Sequence, residues 1–150
     1  MKKNPYLLFT KCVLFVMFYV GILCTLSLPL FFRWYGTIDG HYAGKLYLPQ
    51  TILYFIGASF CCLIVFELKR IIRSVEKGDC FAKSNVRSLK RMSIYSFAAA
   101  VASGSRLILY VTPGPFAMMV VFLLAGLLSG VLAEVFDKAV DYKEENDFTV

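Results

Sequence analysis

Side chains able to do chemistry are sparse in this 150-residue chain, and one of them sits in an unexpected place. Arg106 is the lone charged residue between positions 92 and 133. A guanidinium at the centre of a bilayer costs about 3 kcal/mol or more, so an intramembrane charge is a functional hypothesis by default. It can receive an anion or a lipid headgroup, or it can snorkel to the surface. Arg106 follows Arg91 by 15 residues, about 22 Å along a helix, which puts it in the outer half of a span. Asp39, the loop carbonyls and Tyr110 are the groups towards which it would snorkel.

Other chemistry finds little support. His41 is the one histidine, with only Asp39 near it in sequence, which is a poor ligand set for a metal. The five cysteines are Cys12, Cys24, Cys61, Cys62 and Cys80. Adjacent Cys61 and Cys62 point to different faces of a helix and cannot clamp one metal, and small buried thiols behave as apolar side chains. HExxH, a glycine-rich phosphate loop and GxSxG are all missing. A nucleophile needs a base within hydrogen-bond reach, and no residue qualifies. The first apolar run also lacks the carboxylate that small proton-coupled multidrug exporters rely on. No catalytic residue, metal or cofactor is expected.

Charge is concentrated in two segments. Residues 67–91 hold eight basic and three acidic groups, whereas residues 134–150 hold two basic and six acidic groups. Leu68, Ile71, Ile72 and Val75 recur at helical spacing in the first segment, and Leu132, Val135, Phe136, Ala139 and Val140 in the second. Gly78 fits a helix C-cap, after which a second short helix is expected over about 84–91. Two complementary amphipathic segments can lie on one another, or together they can form a platform for a soluble protein, with charge guiding encounter.

These segments are spaced by long apolar runs. Residues 12–32, 46–66, 92–105 and 107–133 carry no charged side chain, and about 20 such residues cross a bilayer as a helix. Apolar residues make up 59% of the chain, well above the roughly 45–50% of soluble domains. Four spans follow, at about 12–32, 46–66, 92–111 and 116–133, with Thr-Pro-Gly-Pro (112–115) breaking the last two apart. The first run is too long for a cleaved signal h-region and ends in Leu-Pro-Leu-Phe-Phe without a small-residue cleavage site, so it is expected to stay as an anchor. Trp34, Tyr35, Tyr42 and Tyr47 border the loop at 33–45, the aromatics of a membrane interface.

Basic residues between spans set the orientation. Three precede the first span, two border the loop at 33–45, eight lie in 67–91 and none lies in 112–115. Lysine and arginine stay in the cytoplasm, so both termini and residues 67–91 should be cytoplasmic. The net charge of +6 and pI near 9.1 then describe juxtamembrane contacts with anionic lipid, with no direct nucleic-acid partner. Ser96, Ala99, Ala100 and Ser103 in the third span, and the Gly126-to-Gly130 stretch in the fourth, supply the small residues that let helices approach closely in lipid. They serve packing within the bundle or a homo-oligomer.

Two segments carry a family resemblance. IRSVEKGDCF (72–81) with Asn85, Val86 and Leu89, and LAEVF (132–136) leading to EENDFTV (144–150), resemble a bacterial family of small four-helix membrane proteins, the domain of unknown function 2975. In the family the first segment is a Gly-x-x-Phe turn, an asparagine and a basic run into the third span. The second is an acidic helix, with Phe148 here in place of the usual leucine. Members are often encoded beside a Cro-type helix-turn-helix regulator, so the resemblance implies a membrane-bound partner or sequestering factor for such a regulator.

The resulting expectation is an all-α integral membrane four-helix bundle with short cytoplasmic helical extensions, in a bacterial inner membrane, without enzymatic activity. Its leading role is docking of a soluble cytoplasmic protein through Arg87, Lys90, Arg91, Glu144, Glu145, Asn146 and Asp147. The alternative is a small transporter or immunity-type protein that uses the bundle interior around Arg106.

Overall fold

A computed structural model describes residues 5–39, 47–109 and 113–149. They form four helices: α1 (Pro5–Asp39), α2 (Tyr47–Glu76), α3 (Lys83–Leu109) and α4 (Pro113–Phe148). No strand occurs among the described residues. Helices are the fold that such a sequence allows, because backbone groups in hydrocarbon must be satisfied within the segment itself. α1, α2 and α4 are each long and apolar enough to cross a membrane. Only 6% of the most apolar stretch of α1 and of α2 is buried inside the molecule, and 11% of that of α4. Leu23, Leu30, Leu128 and Val131 all point outward. Their apolar surface is left for lipid to cover.

The helices exceed the bilayer. At 1.5 Å per residue α4 is about 54 Å long and α1 about 52 Å, against a hydrocarbon core of about 30 Å. The surplus is continuous with the spans. α2 runs unbroken from the apolar run into its charged extension, and α4 does the same. The separate short helix expected over 84–91 does not exist, since α3 is one rod from Lys83 to Leu109. A change from charged to apolar side chains alters the solvent a helix prefers but leaves its backbone hydrogen bonds intact. α1 likewise passes through Pro29 and continues to Asp39, beyond the expected end at residue 32. Residues 40–46, with His41, lie outside the described residues.

α3 differs in kind from its neighbours. It packs between α2 and α4, while among the described residues α1 packs on α2 alone. Its buried face mixes Asn85, Ser88 and Ser96 with Val86, Leu89, Met92, Ala99, Ala100 and Ala102, and from residue 96 onward it is built of small residues. Ser93 Oγ donates to the Gly126 carbonyl at 2.8 Å, and a Cβ at Gly126 would meet the Phe97 ring at 3.3 Å. Close approach of α3 and α4 is thus the work of the small residues, used inside this molecule. α1 and α4 do not pack on one another among the described residues, so the four-helix arrangement is open on one side.

A capped turn joins α2 to α3. Gly78 has φ +85°, its N–H reaches the Val75 carbonyl at 3.0 Å, and the Asp79 N–H reaches the Ser74 carbonyl at 3.3 Å. This pair of bonds is a Schellman cap, which favours glycine at the left-handed position. Asn85 is 1% exposed and donates from Nδ2 to the Cys80 carbonyl at 2.9 Å and the Asp79 carbonyl at 3.3 Å. Phe81 then sets its ring 5.5 Å from that of Phe136 on α4. Glycine, phenylalanine and asparagine in the 72–89 segment each therefore have a local structural task.

Candidate functional site

Two regions concentrate the charged chemistry. The first is the end of the molecule where α2 finishes, α3 begins and α4 extends. Lys83 Nζ lies 2.7 Å from Glu144, Lys90 Nζ 2.8 Å from Asp137, and Lys143 Nζ 3.3 Å from Asp79. Lys11 reaches from α1 to Glu76 of α2 at 2.7 Å. All four pairs are well exposed, so each adds little stability. Their value lies in fixing register between antiparallel helices. Hydrogen bonding to Glu144 pushes the Lys83 pKa above its ordinary value, and hydrogen bonding to Asp137 does the same for Lys90.

Closer to the apolar zone the charges are more enclosed. Glu67 is 3% exposed and takes its partner from α3, with Arg91 Nη1 3.3 Å from Oε1. Its Oε2 has no hydrogen-bond partner. A buried carboxylate with one partner depends on that partner. Lys69 sits among rings of α1, with Nζ 4.3 Å from the Phe18 centroid, 5.0 Å from Phe15 and 5.7 Å from Tyr19. Cation–π contacts of this kind tie α1 to α2 where lipid headgroups would begin.

The second region is a cavity of about 360 Å³ bounded by all four helices. That volume falls within the roughly 300–1,000 Å³ of small-molecule sites. Met17, Gly21 and Thr25 of α1 and Tyr54, Gly57, Cys61 and Cys62 of α2 form two walls. Ser103 and Arg106 of α3 and Met118 and Phe122 of α4 complete them. Thr25 Oγ1 donates to the Gly21 carbonyl at 2.7 Å and lies 3.8 Å from Cys62 Sγ, so its hydroxyl is already engaged. Arg106 is not. Its guanidinium carbon is 3.4 Å from the Tyr54 ring centroid, and its buried Nε has no hydrogen-bond partner. Stacking returns about 0.5–2 kcal/mol, less than the roughly 2.5–3.5 kcal/mol that arginine costs in a span. Among the described residues no carboxylate lines the cavity.

The expected docking residues divide into two sets. Lys90, Arg91 and Glu144 are engaged within the chain, with Asp137, Glu67 and Lys83 respectively. Arg87, Glu145, Asn146 and Asp147 are exposed, with the Thr149 hydroxyl donating to the Glu145 and Asn146 carbonyls. For Arg106, the expected snorkelling targets, the side chain of Asp39, the loop carbonyls and Tyr110, lie outside the described residues. Its observed neighbour is Tyr54, which sequence reasoning missed. The helix register accounts for the contact: Arg106 lies 15 residues after Arg91 and Tyr54 lies 13 before Glu67. Once Glu67 and Arg91 pair across antiparallel helices, the other two fall within about 3 Å of the same level. No group of three or more metal-ligating side chains occurs among the described residues.

Comparison with known proteins gives a single kind of match. The family model described as "Protein of unknown function (DUF2975)" matches residues 36–150. No curated protein and no solved structure matches.

Proposed function

We propose, from the premise that this chain belongs to the DUF2975 family of proteins of unknown function, that it is a non-enzymatic membrane protein whose charged end docks a soluble partner. The membrane is a bacterial inner membrane, with both termini and the charged end in the cytoplasm. The carrying observation is that helices α2, α3 and α4 continue beyond the apolar zone as rods braced by cross-helix ion pairs. A braced platform costs little ordering entropy when a partner binds.

The surface left for a partner is Arg87 on α3 and Glu145, Asn146 and Asp147 on α4, all exposed. An acidic helical tail complements a basic DNA-binding surface. The helix-turn-helix regulator that the resemblance implies is therefore a chemically sensible partner, held at the membrane and away from DNA. Lys90, Arg91 and Glu144 hold the platform in shape.

Purification in mild detergent tests this reading, comparing the intact chain with one truncated before Glu144 and with Arg87→Glu. One soluble protein should be retained in stoichiometric amount by the intact chain, lost from both variants, and able to rebind after separate purification. Equal retention by all three forms overturns the docking role.

A further inference from the structure

We infer that the cavity between the four helices is a binding site for a single-chain hydrophobic carboxylate, a fatty-acid-like amphiphile whose headgroup meets Arg106. The first support is the state of the arginine. Tyr54 covers one face of the guanidinium, and the buried Nε on its edge has no hydrogen-bond partner among the described residues. A carboxylate is the planar partner that accepts two parallel bonds from that edge. One cation, with no carboxylate beside it in the lining among the described residues, calls for a ligand with one negative charge.

The remaining lining is apolar, and it is vacated by small residues. A Cβ built on Gly57 would meet nothing within 4 Å, so this glycine is not required for helix contact. Glycine is unfavourable inside a helix, yet here it enlarges the space beside Ala58 and Cys61. From Tyr54 to Val65 the α2 wall runs about 16 Å, the length of an extended chain of about a dozen carbons. A volume of about 360 Å³ accepts one such chain and is too small for both chains of a phospholipid. A small hydrated anion such as phosphate would leave the apolar walls unused.

The test uses the full chain in phosphatidylcholine nanodiscs, with dodecanoate carrying a terminal diazirine as the probe. Photolabelling followed by mass spectrometry should place adducts on cavity residues at the far end from Arg106, such as Met17, Cys61 and Val65, rather than on outward Leu23 or Leu30. Unlabelled dodecanoate should compete and dodecanol should not. Arg106→Gln should lower labelling about tenfold, with Arg106→Lys retaining part of it. Gly57→Leu narrows the space from the α2 wall, where an added Cβ meets nothing within 4 Å, and should reduce labelling to a similar degree, which keeps the test decisive should Arg106→Gln not fold. Equal competition by dodecanol, or labelling unchanged in Gly57→Leu, overturns the inference. So does an anionic phospholipid that co-purifies in stoichiometric amount and resists displacement by dodecanoate, which would assign Arg106 to a lipid headgroup instead.

Discussion

The charged end and the Arg106 cavity both place charge beside lipid, and they treat it in opposite ways. At the charged end each of Lys11, Lys83, Lys90, Arg91 and Lys143 has a carboxylate on another segment. In the cavity Arg106 has an aromatic face and, among the described residues, no hydrogen-bond partner for its Nε. Charges answered within the chain build the frame. A charge with no carboxylate beside it among the described residues is one that a ligand can answer. Removing arginine from the two regions should therefore have opposite consequences for stability.

The largest effect is expected at the enclosed ion pair. Arg91→Ala leaves the Glu67 carboxylate buried without its partner and should destabilise the protein by about 3 kcal/mol, the lower end of the range for such pairs because the Arg91 side chain is half-exposed. Glu67→Gln frees an arginine that can turn to headgroups and should cost clearly less. Unfolding in nanodiscs, followed by far-ultraviolet circular dichroism, gives both values. Equal losses in the two variants would show that Glu67 is not the group that needs the pair.

Asn85→Ala comes next. It removes two bonds to the carbonyls that follow the α2 cap and should cost about 2 kcal/mol. Hydrogen exchange should rise over 77–83 before any change at residues 96–100. Loss of protection along the whole of α3 would mean that this turn and the helix open as one unit.

These two residues also mark what could be read from the sequence. The four helices, Gly78 as a cap and the small-residue contact of α3 with α4 follow from local rules, namely apolar run length, left-handed backbone and four-residue spacing. The pairings do not. Glu67 with Arg91 and Arg106 with Tyr54 depend on how far two antiparallel rods slide, which is set by the turn at 77–82. The break expected before residue 92, and the end expected at Leu-Pro-Leu-Phe-Phe, came from treating a change of solvent or a proline as a helix boundary. In lipid, proline is tolerated within helices, as at Pro29. The emptiness beside Gly57 has no signature in sequence at all, since the same glycine could have served close packing.

Arg106→Leu sharpens the contrast. It removes a buried Nε that lacks a partner among the described residues and should stabilise the empty protein by about 2 kcal/mol, the difference between the cost of the charge and the return from stacking. Its unfolding midpoint should rise while that of Arg91→Ala falls. A fall in both would place Arg106 among the frame residues, with a partner in the chain, and would remove the premise of a ligand-receiving charge.

The smallest effect is a response to alkaline pH confined to the charged end. Lys83 and Lys90 hold pKa values raised above 10.5 through hydrogen bonds to Glu144 and Asp137. A raised value in the folded state means that the folded form binds the proton more tightly, so this contribution is complete below pH 10.5 and fades as pH climbs through the folded values. Between pH 7 and 9 the tie of α3 to α4 should not change. Above pH 10.5 hydrogen exchange over 137–148 should quicken while 126–133 stays protected, because Ser93 holds Gly126 through a group that does not titrate there. In the double variant Lys83→Met, Lys90→Met the tail should already exchange a few-fold faster at pH 7, and the alkaline step should vanish. A step that survives in the double variant would trace to other groups at the charged end, and the two lysines would then be bystanders to the α3–α4 contact.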